Sequence, residues 1–153
     1  MTDLLIVFGA TYLFAASFLL VIAAWIMRDK AKQKPQWTAF ALTIILTGLF
    51  GMIGNHAYSH DRPFVVDGIA PLVAHAADNG FPSDHTLLTA AIAAGLWGVS
   101  RRLSLAAWVV AILVGVARVM AHVHWPMDIL ASLAFALVAG LIANAIARTC
   151  VRT

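Results

Sequence analysis

Six histidines and two out-of-place arginines interrupt an otherwise apolar chain, and with several aspartates they form three short clusters. The first runs from Asn55 to Phe64 and contains Arg62-Pro63. A proline pushes the residue before it out of helical geometry, so Arg62 is expected just past a helix end. The second is Phe81-Pro82-Ser83-Asp84-His85, directly ahead of an apolar run. Ser83 or Asp84 suits an N-cap. A helix start also offers free N–H groups and partial positive charge, a cradle for phosphate that His85 in the first turn can reach. The third cluster is Arg118, His124 and Asp128. His124 and Asp128 are four apart, so the carboxylate can hold one imidazole nitrogen and leave the other as base or nucleophile. Each cluster has a plain structural explanation too: a helix end with its breaker, a cap, a loop histidine beside a capping aspartate. His56, His60, His75 and His122 have no comparable partner and read as interfacial histidines.

The elements that must position these residues are membrane helices. The 153 residues are 62% hydrophobic and 11% charged, with mean hydropathy +0.90. Soluble domains carry about 25% charged residues, so neither a soluble domain nor disorder fits. All seven acidic residues are Asp; the absence of Glu implies helices with little water-exposed face. Cys150 is alone, which excludes an internal disulfide and a cysteine metal cluster.

A bilayer core of roughly 30 Å takes about 20 apolar residues in a helix. The apolar runs predict an all-α bundle in one domain over 1–153, with about five spans: Leu4 to Met27, Trp37 to about Tyr58, a short one from His85 to Ser100, Leu103 to about Ala121, and Pro126 to Ala147. Pro126 suits a first helical turn. Gly48, Gly51 and Gly54 read as a close-packing stripe on the second span. Five spans put Arg28, Lys30, Lys32, Lys34, Arg101, Arg102, Arg148 and Arg152, eight of the ten basic residues, on one side. Positive charge favours the cytoplasm, so that side is expected inside, the N-terminus out and the C-terminus in. Trp25, Trp37 and Trp97 then fall near the inner interface. The net charge of +3 thereby marks topology rather than a nucleic-acid partner. All six histidines, Arg62, Arg118 and six of the aspartates collect on the outer side. Charge kept near a membrane tends to be functional, and this mixture suits an anion site with acid–base machinery.

Together the clusters resemble the type 2 phosphatidic acid phosphatase superfamily, whose pattern is Lys-x6-Arg-Pro, Pro-Ser-Gly-His and Ser-Arg-x5-His-x3-Asp. The chain carries Asn55-x6-Arg62-Pro63, Pro82-Ser83-Asp84-His85 and Ala117-Arg118-x5-His124-x3-Asp128. The stretches His60-Asp61-Arg62-Pro63-Phe64, His75-Ala76-Ala77-Asp78 and Phe81 to Thr86 look like the bacitracin-resistance branch of undecaprenyl-diphosphate phosphatases, where Asp often replaces the Gly. Asn55 stands at the family's Lys position and Ala117 at its Ser. Six-span members have one more N-terminal helix than is counted here.

The resemblance implies that His124 is the nucleophile on phosphorus and that Asp128 orients it. Arg62 and Arg118 clamp the phosphoryl oxygens with Ser83, Asp84 and the N–H groups of the third span's start, and Asn55 either binds the second phosphate of a diphosphate, directly or through a water, or is drift at a dispensable position. His85 is the general acid, and water then hydrolyses a phosphohistidine. Guanidinium forks suit the spread charge of phosphoryl transfer. No carboxylate cluster suits Mg²⁺, so neither a metal nor another cofactor is expected. The expected partners are membrane lipids and an isoprenoid or other lipid phosphate, at a site facing the periplasm from a bacterial inner membrane. The stretch from Pro63 to Gly80 is either an interfacial loop shaping lipid entry or a mere connection. Two rivals remain: a haem- or metal-binding bundle, disfavoured by histidines crowded at one rim beside Arg, and a non-catalytic lipid carrier. The lipid and the oligomeric state stay open.

Overall fold

The computed structural model describes residues 1–27 and 34–150, without the side chains of Lys34 and Cys150. Arg28, Lys30 and Lys32 of the first basic loop, and Arg152 of the tail, lie outside the described residues. Seven helices occur among those described: α1 Thr2–Thr11, α2 Ala15–Ile26, α3 Lys34–Ala57, α4 Pro63–Asp67, α5 Asp84–Leu96, α6 Arg101–Met120 and α7 Pro126–Cys150. The all-α membrane bundle expected from the apolar runs is what forms. Helices α3, α6 and α7 are each long and apolar enough to cross a bilayer. The uncharged first run is two helices, not one: α1 and α2 meet at a 52° bend and make a fourth span only if taken together. Helix α5, at 13 residues, is shorter than a crossing.

That short helix is the centre of the bundle. It packs on α2, α3, α6 and α7, while α1 lies along α6. Its buried residues are mostly small, Thr86, Thr89, Ala90, Ala91, Ala93, Ala94 and Gly95, with Leu87, Ile92 and Leu96 among them. Lipid tails are as apolar as leucine, so membrane helices hold together by close packing of small residues and hydrogen bonds between helices. A Cβ on Gly140 of α7 would stand 2.9 Å from Ala94 Cβ, and one on Gly95 would stand 2.7 Å from Phe40. The Ser104 hydroxyl of α6 donates to the Ala93 carbonyl at 2.7 Å. The glycine stripe on α3 holds at two of its three positions. Gly51 abuts Leu87 and Gly54 faces Phe135 and Phe81, but Gly48 opens onto empty space.

The two ends of the bundle differ as the charge pattern requires. At one end Trp25 and Trp37 meet edge to face at 5.1 Å, Arg101 lies 5.4 Å over the Trp97 ring, and Arg148 and Trp97 line a common groove. At the other end, residues 58–83 cross from α3 to α5 and the tight turn 121–125 joins α6 to α7. Pro63 opens α4, and Arg62 before it is extended (φ −67°, ψ 154°). Gly68 ends α4 in the left-handed region (φ 72°), the usual glycine stop. His122 is also left-handed (φ 64°), a conformation histidine enters more readily than most residues. Its Nε2 meets Asp67 Oδ2 at 2.7 Å, and the Leu72 N–H donates to the Ala121 carbonyl at 3.1 Å, so loop and turn brace one another.

Candidate active site

His124 sits in the α6–α7 turn, 3% exposed, with Asp128 fully buried in the first turn of α7. Its Nδ1 lies 2.9 Å from the Gly80 carbonyl and 3.3 Å from Asp128 Oδ2. A carbonyl and an ionised carboxylate only accept, so Nδ1 carries the proton and Nε2 keeps its lone pair. That Nε2 is flanked at 3.3 Å by Arg62 Nη1 and at 3.3 Å by Arg118 Nη2. An unprotonated imidazole nitrogen between two guanidiniums can act as a nucleophile on an anion that they hold. Burial pushes the His124 imidazole below its ordinary pKa, Arg118 and Arg62 add to that, and Asp128 opposes it.

Each guanidinium is itself held. Arg62 donates from Nε to Asp78 Oδ1 at 2.9 Å, from Nη1 to the Val123 carbonyl at 2.9 Å and from Nη2 to the Asn79 carbonyl at 3.2 Å. The Arg62 hydrogen bond holds the Asp78 carboxyl below the usual range. Arg118 Nη1 donates to the Ala10 carbonyl at 3.3 Å, next to the α1–α2 bend, where the helix C-terminus leaves carbonyls short of intrahelical donors. Its buried Nε has no partner. The bend also brings Phe14 edge-on to His85 at 5.1 Å. His85 is half-buried in the first turn of α5 and shares its electrostatic surroundings with Arg118, Asp84 and His124.

The cap of α5 departs in detail from expectation. Ser83 has cap geometry (φ −78°, ψ 110°) but makes no side-chain cap bond. Its hydroxyl pairs with Thr86 Oγ1 at 3.1 Å, and its N–H donates to Ser132 Oγ at 3.1 Å. Ser132 Oγ lies 2.7 Å from the Asp128 carbonyl, so α7 ties the start of α5 to the turn that carries Asp128. The Asp84 side chain is exposed; as an anion it repels phosphate, which leaves its N–H as the useful group. Asn55 donates from Nδ2 to the Phe81 carbonyl at 2.9 Å, and its own carbonyl accepts from Asn79 Nδ2 at 3.0 Å. Its amide is thus committed to the backbone leading into Pro82-Ser83.

Two of the histidines read as partnerless have carboxylate partners. His60 Nε2 lies 2.8 Å from Asp128 Oδ1, and His122 pairs with Asp67. The His75 ring stands edge-on to His124 at 6.0 Å, and its buried Nδ1 lacks a partner. Burial, Arg62, Arg118 and His124 hold His75 down to about 4. His56 Nδ1 bonds only the Met52 carbonyl of its own helix, at 2.8 Å. Gly80 and Ser132 were not foreseen as site-builders. Ser132 carried one signal, its place one turn beyond Asp128. Among the described residues, no group of three or more His, Cys, Asp or Glu converges as a metal site.

The PAP2 superfamily profile matches residues 36–152. The chain is 31% identical over 105 residues to the undecaprenyl-diphosphatase BcrC of Bacillus subtilis (strain 168), covering 66% of this chain and 52% of that protein. It thus spans about half the length of this curated relative. The crystal structure of Aquifex aeolicus LpxE superposes with a TM-score of 0.74 at 24% identity, over 93% of this chain and 86% of that one. A PAP2-type phosphatidylglycerolphosphate phosphatase from Bacillus subtilis superposes with a TM-score of 0.59 at 20% identity, over 95% and 74%. At these identities the two structures speak for the fold.

Proposed function

This chain belongs to the PAP2 superfamily, and from that premise we propose that it is an integral membrane lipid phosphatase hydrolysing a polyprenyl diphosphate, undecaprenyl diphosphate in particular, to the monophosphate and inorganic phosphate. The observation that carries this is His124 Nε2, unprotonated and flanked by two buried guanidiniums. The likeness to an undecaprenyl-diphosphatase supports the choice of lipid.

The terminal phosphoryl group docks between Arg62 and Arg118, near the first-turn N–H groups of α5. These donors are in place before reaction, where fixed dipoles stabilise spread negative charge best. The Nε2 lone pair attacks phosphorus, the bond to the bridging oxygen breaks, and His85 gives that oxygen its proton. The phosphorylated imidazole is cationic, with its Nδ1–H against Gly80 and Asp128. His85, now neutral, takes a proton from water as that water attacks phosphorus. The P–N bond breaks, phosphate leaves and His124 is restored. In a bacterial inner membrane with the basic loops inside, the site faces the periplasm and serves recycling of the cell-wall lipid carrier.

The test is phosphate release by purified protein in mixed micelles. Undecaprenyl diphosphate is compared with phosphatidylglycerophosphate, phosphatidate and a lipid A phosphate. Fastest turnover of the polyprenyl diphosphate, lost in His124→Ala, is expected. Preference for another lipid would reassign the substrate, and no release from any would leave an anion-binding bundle.

A further inference from the structure

Asp128 is fully buried and faces donors from three directions. Oδ2 accepts the Trp125 N–H at 2.9 Å and meets His124 Nδ1 at 3.3 Å, whereas Oδ1 meets His60 Nε2 at 2.8 Å. The shorter imidazole contact therefore goes to His60, 68 residues away in sequence. An ionised carboxylate only accepts, so His60 Nε2 carries a proton in this contact. The ring is fixed in place. It lies 5.3 Å from Tyr58 and 6.4 Å from Phe81, the His60 N–H donates to Asn79 Oδ1 at 3.3 Å, and its carbonyl accepts the Gly80 N–H at 3.2 Å. So many restraints on one partly exposed loop residue exceed what a solvated interfacial histidine needs.

Resting on the phosphatase reading above, we propose that His60 is a positioning residue: its Nε2–H anchors Asp128 Oδ1 and so sets how strongly Oδ2 pulls on the His124 Nδ1–H. His60 does not touch the reacting nitrogen, which lies across the His124 ring between the arginines. It acts through the carboxylate. Two donors on one carboxylate draw on the same negative charge, so each is held less strongly than it would be alone. With His60 present, His124 stays neutral and nucleophilic, and Asp128 remains available to the cationic phosphohistidine. The charged and titratable groups facing His124 are Arg62 and, beyond it, Asp78; Arg118 from α6; His75 from the loop; His85 from α5; and Asp128 from α7. Of these, Asp128 is the one that hydrogen-bonds the side chain at position 60.

Two variants of the full chain test this. His60→Phe keeps a ring against Tyr58 and Phe81 but deletes the donor; His60→Gln restores an amide donor. With the donor gone, Asp128 pulls on His124 alone, the imidazolium gains stability, and the acid limb of the kcat profile moves to higher pH. We expect His60→Phe to lower kcat about tenfold, the scale of one hydrogen bond to a charged group, with KM little changed and the acid limb raised by about half a pH unit or more. His60→Gln should bring both back toward wild type. An unmoved or lowered acid limb in His60→Phe, or equal impairment of the Gln variant, overturns the proposal. His124→Ala, assayed alongside, separates the two readings. If it retains turnover, the phosphatase site itself is misassigned; if it is dead while His60→Phe behaves as wild type, only the role of His60 falls.

Discussion

The Gly80 carbonyl holds the His124 Nδ1–H at 2.9 Å, closer than the Asp128 carboxylate at 3.3 Å. The tautomer of the proposed nucleophile is therefore guarded twice, once by a side chain and once by backbone that no substitution at Gly80 removes. Comparable triads lose on the order of 10⁴-fold when the carboxylate becomes an amide, because the tautomer is then wrong.

Here Asp128→Asn should cost less, on the order of 10²-fold in kcat, since Gly80 still fixes the proton. His124→Ala should abolish turnover. Steady-state phosphate release measures both, and a loss as deep in Asp128→Asn as in His124→Ala would mean that Gly80 protects nothing.

The two arginines differ in what else they hold. Arg62 serves Asp78 and the carbonyls of Val123 and Asn79, whereas Arg118 bonds one carbonyl, that of Ala10. A lysine keeps the charge but not the fork. Arg118→Lys should lower kcat/KM strongly and shift the melting temperature little. Arg62→Lys should lower both, because buried carbonyls left unpaired cost about 1–3 kcal/mol each. Thermal unfolding in detergent beside kinetics distinguishes the pair.

Asn55 replaces the lysine of the family pattern, and a contact with the second phosphate of a diphosphate would make its loss selective. Its amide is instead bonded to the Phe81 carbonyl. Asn55→Ala should therefore impair diphosphate and monophosphate substrates alike, by about 1 kcal/mol, one hydrogen bond's worth. A KM increase confined to the diphosphate would return Asn55 to the substrate.

His75 supplies a signed pH effect. Its folded value of about 4 lies below the ordinary 6.5 of histidine, so below pH 6.5 the unfolded chain binds the proton more readily. Its contribution to stability is present above that pH and is lost as the pH falls from about 6.5 toward 4. His75→Gln should flatten the dependence of melting temperature on pH across that window. An unchanged slope would show that His75 is not held neutral.

The charge pattern predicts which side the site faces. In a Cys150→Ser background, Ala77→Cys on the exposed loop should react with a membrane-impermeant thiol reagent in cells with a permeabilised outer membrane. Arg102→Cys should not. The reverse pattern would invert the chain.

Arg62, Arg118, His124 and Asp128 were legible because fixed spacing and costly charge mark them in an apolar sequence. His60 was not, since its partner lies 68 residues away and nothing local distinguishes it from a solvated histidine. Gly80 acts through its carbonyl, which every residue has, so residue type carries no signal for it. The break between α1 and α2 falls at Tyr12-Leu13-Phe14, with neither proline nor glycine to announce it. Tertiary contacts accompany it there, Arg118 with Ala10 and Phe14 with His85. The short α5 was visible as a short apolar run; that it fills the centre of the bundle was not, because an Ala-, Gly- and Thr-rich stretch carries no amphipathic stripe to say which faces are covered.

The first turns of α7 carry Asp128 and Ser132, and α7 follows every other site-bearing element in the chain. While the protein is being synthesised, Arg62, Asp78 and His60 emerge long before Asp128 and Ser132, which hold His124 and the start of α5. Until α7 follows, His60 and His124 lack their shared carboxylate and the Ser83 N–H lacks the Ser132 hydroxyl. On the phosphatase reading proposed above, a ribosome-bound chain stalled before α7 is therefore expected to release no phosphate.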